Sequence, residues 1–470
     1  MGSLDALKVA IITENFLPKV DGVTVTLAQL LEHLSARGVK AILLGPVSGM
    51  NEYAGCRIFG AFGFPLPAYP GLKINFIPPS FIRELQEFDP DVIHLIDPIW
   101  LGVQALTAIK ILFPNIPLVT SQDTNLPTYA TVFGFPYFRN RIWKISSYVH
   151  SFGQFTLVPS PSTASLLKAK GFVNIRICDR GVNPEWFSPA LRNHALRRRW
   201  GLNSDDIAIL SAGRVSPEKN LQLLIESSSL LSKDIRDHVV IVFVGDGPLT
   251  PRLRELCTTR DIRALFLGQL TGEALWKTFA SADIMSSPSF TETFGQVTLE
   301  AMASGLPVAG LYAEGTVDLV THLGTGLLLD VHAGDKTHPW KPYWPLDVNA
   351  QIATYDSCAD LMRPSSTSFQ VIARQYASLL ELLISDHALR AEMGAAGLLV
   401  AQEYPWERCT DRILSTYMDA LRTRTRAPHV ASNSGLLRFF IHALIVGLSI
   451  FVAALSHLSY MIPTLTDLAC

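Results

Sequence analysis

The chain has 470 residues, 48% of them hydrophobic and 17% charged, with a formal net charge of -2. That length holds about two or three domains, and the hydrophobic share fills real cores, which excludes a largely disordered chain. The near-neutral balance leaves no electrostatic footprint for nucleic acid.

The N-terminus does not read as a signal peptide: Asp5 lies in its first residues and the apolar run Val9–Ile12 is short. The pattern predicts a strand over Lys8–Thr13, a loop over Glu14–Val23, and a helix with Leu27, Leu30, Leu31 and Leu34 on one face. Gly38 suits a left-handed helix end, and a second strand follows over Val39–Leu44. Short apolar runs at Val92–Ile96, Leu118–Ser121 and Phe155–Pro159 continue the alternation, and Ser160-Pro161 reads as a helix cap with proline at the first turn. The pattern breaks around Asn183–Pro189 and restarts with a strand at Ile207–Ala212, a loop at Gly213–Lys219 and a helix at Asn220–Leu231. Strands are expected at Val239–Val244, Leu265–Leu267, Ile284–Ser287, Val308–Leu311 and Gly326–Leu329. Val331–Thr367, rich in Pro, Trp, Asp and Ser, reads as a loop insertion, and helical sequence resumes over Phe369–Gln402 and Trp406–Leu421.

Strands alternating with helices imply parallel sheets covered on both faces. The expected class is α/β, with two doubly wound Rossmann-like domains facing a cleft, over 1–188 and 189–405, then a closing helix at 406–421. A basic linker at 422–438 contains Arg422, Arg424, Arg426 and Arg438. It precedes a stretch, Phe439–Thr466, without Asp, Glu, Lys or Arg. The apolar part is long enough for a membrane helix over 439–462, and the positive flank would keep the preceding domains on the cytosolic face. A core or interfacial helix is the other reading of this stretch. The six cysteines form no C-x-x-C pair and are read as reduced thiols, and no Cys/His cluster has metal-site spacing. His332 and His338 fall in the loop insertion and are read as surface residues, and Asp89-Pro90-Asp91 is read as the entry to a strand.

Three segments carry chemistry. In T-E-N-F-L-P-K-V-D-G-V-T, Gly22 precedes a helix, where a glycine lets backbone amides approach a phosphate; a plain strand-to-helix turn explains it equally. In G-R-V-S-P-E-K-N, Arg214 and Lys219 flank a turn after a strand, where fixed cations would steady a diphosphate leaving group, against the reading of two solvated charges. In S-F-T-E-T-F-G-Q-V-T-L-E-A-M-A-S-G-L-P-V, Glu292 precedes a helix expected to start near Gly295, and Glu300 lies on it. A carboxylate accepts hydrogen bonds from a vicinal diol, so two of them at this spacing suit the two ends of an extended donor. The amides of Phe294-Gly295 suit phosphate or sugar oxygens. Glu300, inside so apolar a helix, needs a partner.

The Glu292–Glu300 segment, with L-E-A-M-A-S-G-L-P-V after it, resembles the E-x7-E motif of glycosyltransferase family 4, retaining enzymes of the two-domain GT-B fold. The likeness extends through Gly213–Asn220, Glu14–Val25 and R-G-V-N-P-E-W-F at Arg180–Phe187. T-E-N-F-L-P-K-V-D-G-V-T and T-N-L-P-T-Y are most similar to the branch with sulfoquinovosyl-diacylglycerol synthases and lipid mannosyltransferases. The resemblance implies that Glu292 binds hydroxyls of the transferred sugar and Glu300 the ribose. It gives Arg214 and Lys219 the diphosphate, helped by amides near Gly22 and Phe294-Gly295, and sets Leu267-Gly268 against the base. It implies no metal, since the protein's cations stand in for one. A UDP- or GDP-sugar donor and a lipid or amphiphilic acceptor at a membrane follow, as in glycolipid biosynthesis. Where relatives carry a histidine near the reacting carbon, this chain has S-Q-D-T-N-L-P, which brings Asp123, or Gln122 if the register moves by one, to that place; Asn183 stands where an aspartate is common. The competing readings are a non-catalytic donor-binding partner subunit and a GT-B nucleotide-sugar epimerase.

Overall fold

The computed structural model describes residues 7–19, 21–66, 69–132, 136–331 and 361–423. Strands β1 (Lys8–Thr13), β2 (Lys40–Pro46), β3 (Glu52–Tyr53) and β4 (Cys56–Ala61) come first, and β5 (Gly63–Leu66) and β6 (Tyr69–Asn75) form a separate antiparallel hairpin. They are followed by β7 (Val92–Ile96), β8 (Leu118–Ser121), β9 (Phe155–Val158) and β10 (Ile175–Ile177). The first sheet has eight strands in the order β10-β9-β8-β7-β1-β2-β4-β3, parallel except for the β3–β4 edge. The second sheet uses β11 (Ile207–Ala212), β12 (Val239–Val244), β13 (Ala264–Phe266), β14 (Ile284–Ser287), β15 (Val308–Leu311) and β16 (Gly326–Leu329). Its order is β13-β12-β11-β14-β15-β16, all parallel.

Central strands such as V-I-H-L-I at β7 and V-V-I-V-F-V at β12 are buried at every residue. Helices cover both faces of a parallel sheet, so its strands read as continuous apolar runs. The strand order reverses direction at β1/β7 in the first sheet and at β11/β14 in the second, and loops leaving these strands line the crevices where such sheets take ligands. The loops after β11 and β14 contain Lys219 and Glu292, so the topology alone sets these two side by side.

The chain changes domain twice. Cys178 packs in the first core, whereas Val182 and Phe187 pack in the second, so the forward crossing lies at Asp179–Gly181 rather than at the expected 188. On the way back Tyr404 packs against the second core and Trp406 in the first. The two crossings touch: Val182 donates its N–H to the Tyr404 carbonyl at 2.8 Å, and a side chain at Gly181 would meet the Trp406 backbone nitrogen at 2.6 Å. The Trp406–Arg422 helix then lies on the first sheet, burying Trp406, Ile413, Leu414 and Tyr417. The expected closing helix is therefore part of the first domain's core.

Two further boundaries differ from expectation. The Phe369–Gln402 stretch is two helices, Thr367–Ser385 and His387–Gln402, because the Asp386 side chain accepts from the Leu389 N–H and starts a new helix. The Gly213–Lys219 loop ends in a 3-10 turn at Pro217–Lys219, so the helix after it spans only Leu221–Ser229. Among the described residues no helix is long and apolar enough to cross a membrane. The expected basic linker beyond Thr423, the membrane helix, and the insertion over 332–360 with His332 and His338 lie outside the described residues.

Candidate active site

Lys219 and Glu292, assigned separately to the diphosphate and the sugar in the sequence, meet in the structure: Lys219 Nζ donates to Glu292 Oε1, and both are largely buried. Arg214 lines the same cavity, with Lys219, Glu292, Val297 and Thr298. The Gln296–Ala303 helix opens onto this point. Its N-cap is Gly295, at φ 90°, and neither a side-chain cap nor an acidic residue in its first turn meets its leading amides. The helix dipole and these amides favour an anion. Phe294, 2% exposed, anchors the turn in the second core against Tyr404. Glu300, half-buried on the same helix, accepts from Gln296 Nε2 at 3.2 Å, and burial pushes its carboxyl up to about 7 while the nearby Arg180 opposes the rise. Leu267 and Gly268 stand just past β13, with Gly268 at φ 70° and its carbonyl accepting from the Gly245 N–H at 2.7 Å. They occupy the C-terminal edge of the second sheet, on the same side as the other loops.

The first domain's half is different. The Gly22–Ala36 helix has Asp21 as its N-cap, with Asp21 Oδ1 on the Val23 and Thr24 amides, and Thr24 Oγ1 accepting from the Asp21 N–H. A phosphate approaching this helix start meets a carboxylate that already holds two of its amides. Gly22 has another steric reason to be glycine: a side chain there would strike the Arg180 guanidinium. The motif's Glu14 is structural too, since its Oε1 accepts from the amides of Ile99, Trp100 and Gly102 and caps the Leu101–Leu112 helix. Asp91 takes the Lys8 N–H at 2.8 Å and so does introduce a strand.

Asp123 stands at the domain junction. Its Oδ1 accepts from Arg180 Nη2 at 3.1 Å, and its carbonyl accepts from Thr293 Oγ1, beside Glu292, at 2.7 Å. Gln122 faces into the first domain, with Nε2 on the Thr124 carbonyl and Oε1 accepting from Ser146 Oγ, so of the two only Asp123 borders the Glu292 turn. Asn183 folds its Oδ1 back to the Glu185 N–H.

Sequence reasoning missed three groups. Arg180, 6% exposed, sits at the crossing with Asp123 on one side and Glu300 nearby on the other. Asp97, with φ 45°, accepts from the Asp123 and Thr124 amides and from Thr124 Oγ1; burial, then the charge of Asp123, push its carboxyl up to about 7. Glu314, 1% exposed, accepts from Asn125 Nδ2 across the cleft, and burial pushes its carboxyl up to about 8. Only the motif letters around Arg180 and T-N-L-P drew attention to these places; their roles depend on which segments the fold brings together.

Residues 193–337 match the family model described as glycosyl transferases group 1, and residues 20–186 match glycosyltransferase family 4. The chain is 36% identical over 331 residues to a GDP-mannose-dependent alpha-mannosyltransferase of Mycobacterium tuberculosis, covering 69% of this chain and 84% of that protein. It is 33% identical to a sulfoquinovosyl transferase of Arabidopsis thaliana, over 62% of this chain and 56% of that one. Among solved structures it resembles sucrose-phosphate synthase from Thermosynechococcus elongatus, with TM-score 0.67 at 18% identity, covering 89% of this chain and 100% of that one.

Proposed function

The chain belongs to glycosyltransferase family 4, and from that premise we propose that it moves a hexose, with retention, from a nucleoside-diphosphate sugar to a lipid or amphiphilic acceptor. The observation that carries this reading is the Lys219–Glu292 pair, with Arg214 in the same cavity, at the uncapped start of the helix that bears Glu300. Without donor the two charges hold each other. A diphosphate takes Lys219, Arg214 and the leading amides of the Gln296–Ala303 helix, and Glu292 turns to sugar hydroxyls. Glu300 takes the ribose diol, and Leu267-Gly268 border the base.

The sugar C1–O bond to the diphosphate breaks as Lys219 and Arg214 take up the developing charge. The acceptor oxygen bonds to C1 on the same face, and its proton passes to the departing phosphate oxygen. Asp123, held in place by Arg180 through Oδ1, lends its carboxylate charge to the positive sugar centre. The protein's cations do the work a metal would do, so full activity in a chelator is expected. That the mycobacterial relative is GDP-mannose-dependent supports GDP-mannose as the first donor to test.

The decisive experiment incubates purified protein with a panel of GDP- and UDP-sugars and a lipid extract, then analyses the products. An α-linked product from an α-linked donor supports the reading; a β linkage overturns retention, and an altered donor without transfer would indicate an epimerase. For the setting, the charge-free sequence over 439–462 behind Arg422, Arg424, Arg426 and Arg438 supports attachment to a membrane with the catalytic domains on its cytosolic face. Deleting Phe439–Cys470 is expected to move the protein from the membrane to the soluble fraction, and a variant that stays bound contradicts the anchor.

A further inference from the structure

Glu314 follows β15 with φ 40°, a conformation that a non-glycine residue adopts at a cost. Its Oε1 accepts from Asn125 Nδ2 at 2.6 Å, across the cleft. The direction of that amide is set by its own surroundings: Asn125 Oδ1 takes the Thr128 N–H at 3.3 Å, which leaves Nδ2 to face Glu314. The next residue, Gly315, donates its N–H to the Glu292 carbonyl at 2.7 Å. A side chain at 315 would meet that carbonyl and the Phe294 Cα, each at 2.6 Å, so the two turns must lie this close. Contacts thus run unbroken from Asn125 in the first domain through Glu314 and Gly315 to Glu292, the partner of Lys219. The remaining oxygen, Glu314 Oε2, is buried and has no hydrogen-bond partner among the described residues.

We propose that Glu314 is a positioning residue: through Asn125 it fastens the Glu292 turn to the first domain and so sets the closed geometry of the cleft. The kinetic consequence rests on the transferase reading above; the closure itself does not. The charged and titratable groups facing Glu314 are Glu292 and Lys219 from the second domain and Tyr129 from the first. In the neutral form Oε1 accepts from Asn125 and the proton resides on Oε2. Ionisation sets a second negative charge beside Glu292 and works against closure. Glutamine at 314 keeps the acceptor for Asn125 and cannot ionise; alanine keeps neither property.

The test uses the full chain as wild type, Glu314→Gln, Glu314→Ala, Asn125→Ala and the Glu314→Ala/Asn125→Ala double variant. Small-angle X-ray scattering gives the radius of gyration, GDP-mannose turnover gives kcat and KM, and a melting temperature separates opening from unfolding. Glu314→Ala and Asn125→Ala should each enlarge the radius and lower kcat about tenfold, with KM for the donor changed less than about threefold. The double variant should be no worse than either single one. Wild type should lose kcat above about pH 8, and Glu314→Gln should stay near wild type below that pH and not show the loss. A wild-type radius and kcat in Glu314→Ala, independent effects in the double variant, or a Glu314→Gln variant as impaired as Glu314→Ala would each overturn the proposal. If Glu314→Ala does not fold, the radii of Asn125→Ala and Glu314→Gln decide it. If wild type turns over no nucleotide sugar, the transferase reading of the donor fails, while the radii still decide the role of Glu314.

Discussion

Arg180 shows how much a single side chain at the crossing controls. Its guanidinium is buried against Asp123, which in turn sits beside the buried Asp97. Removing one partner of such a pair leaves an uncompensated charge, which typically costs about 3–5 kcal/mol. Arg180→Ala is therefore expected to lower the urea midpoint sharply, and Asp123→Asn less, because asparagine keeps an acceptor for Arg180. Equal stability of Arg180→Ala and wild type would contradict the pairing. The raised carboxyls give a pH dependence. Asp97 and Glu300 are pushed up to about 7 and Glu314 to about 8, all chiefly by burial. The folded state holds their protons where the unfolded chain has lost them. Their contribution is thus fully present below the ordinary carboxylate range and is lost as pH rises through 7 to 8. His94 and His150, pushed down to about 3 by burial, act with the opposite sign only below the ordinary histidine value of 6.5. Unfolding free energy should therefore fall between about pH 6.5 and 8.5, and Glu314→Gln should flatten the upper part of that fall. Unfolding curves at the two ends of the range check this; a rise in stability would contradict it.

The returning helix Trp406–Arg422 makes the clearest case at the level of elements. Its Tyr417, fully buried, shares a 2.8 Å hydrogen bond with His94 Nδ1, whose Nε2 pairs with Ser121 Oγ at 2.6 Å. Tyr417→Phe leaves His94 short of a partner and should cost about 1–3 kcal/mol. Tyr417→Ala adds a cavity and should cost more than about 3 kcal/mol. Equilibrium unfolding measures both, and a neutral Tyr417→Ala would detach this helix from the first core. The amphipathic pattern over Trp406–Leu421 predicts the helix, yet nothing in that pattern says which domain it covers, because either core would accept the same apolar face. Parallel strands such as β7, β11 and β12 are legible to the residue because burial on both faces leaves runs that are apolar but for His94 and Ser211. Strands β3 to β6 are not. They are interrupted by Gly60, Gly63, Pro65 and Gly71, and the β3–β4 edge and the separate β5–β6 hairpin pair antiparallel, which needs no such run.

Across the whole molecule, the site divides by where its residues come from. Glu292, Glu300, Arg214 and Lys219 are legible because each lies in a short motif at a strand's C-terminal end, and the strand order then sets two of those loops together. Arg180, Asn125 and Glu314 acquire their roles only when the two domains face each other, and no local spacing encodes that. Gly22 reads in the sequence as a glycine that lets amides approach a phosphate or as a plain turn; the structure sets the Arg180 guanidinium against it, at a helix start already held by Asp21. In the proposed function the donor's phosphates lie on the second domain, and Glu292 leaves Lys219 to hold the sugar being transferred. The direct measurement compares wild type with Glu292→Gln for transfer from the donor the panel identifies, alongside the affinity of each for the free nucleoside diphosphate. Transfer should fall by about a hundred- to a thousandfold, while nucleotide affinity changes less than about threefold; a Glu292→Gln variant that transfers sugar at the wild-type rate would contradict this role for Glu292.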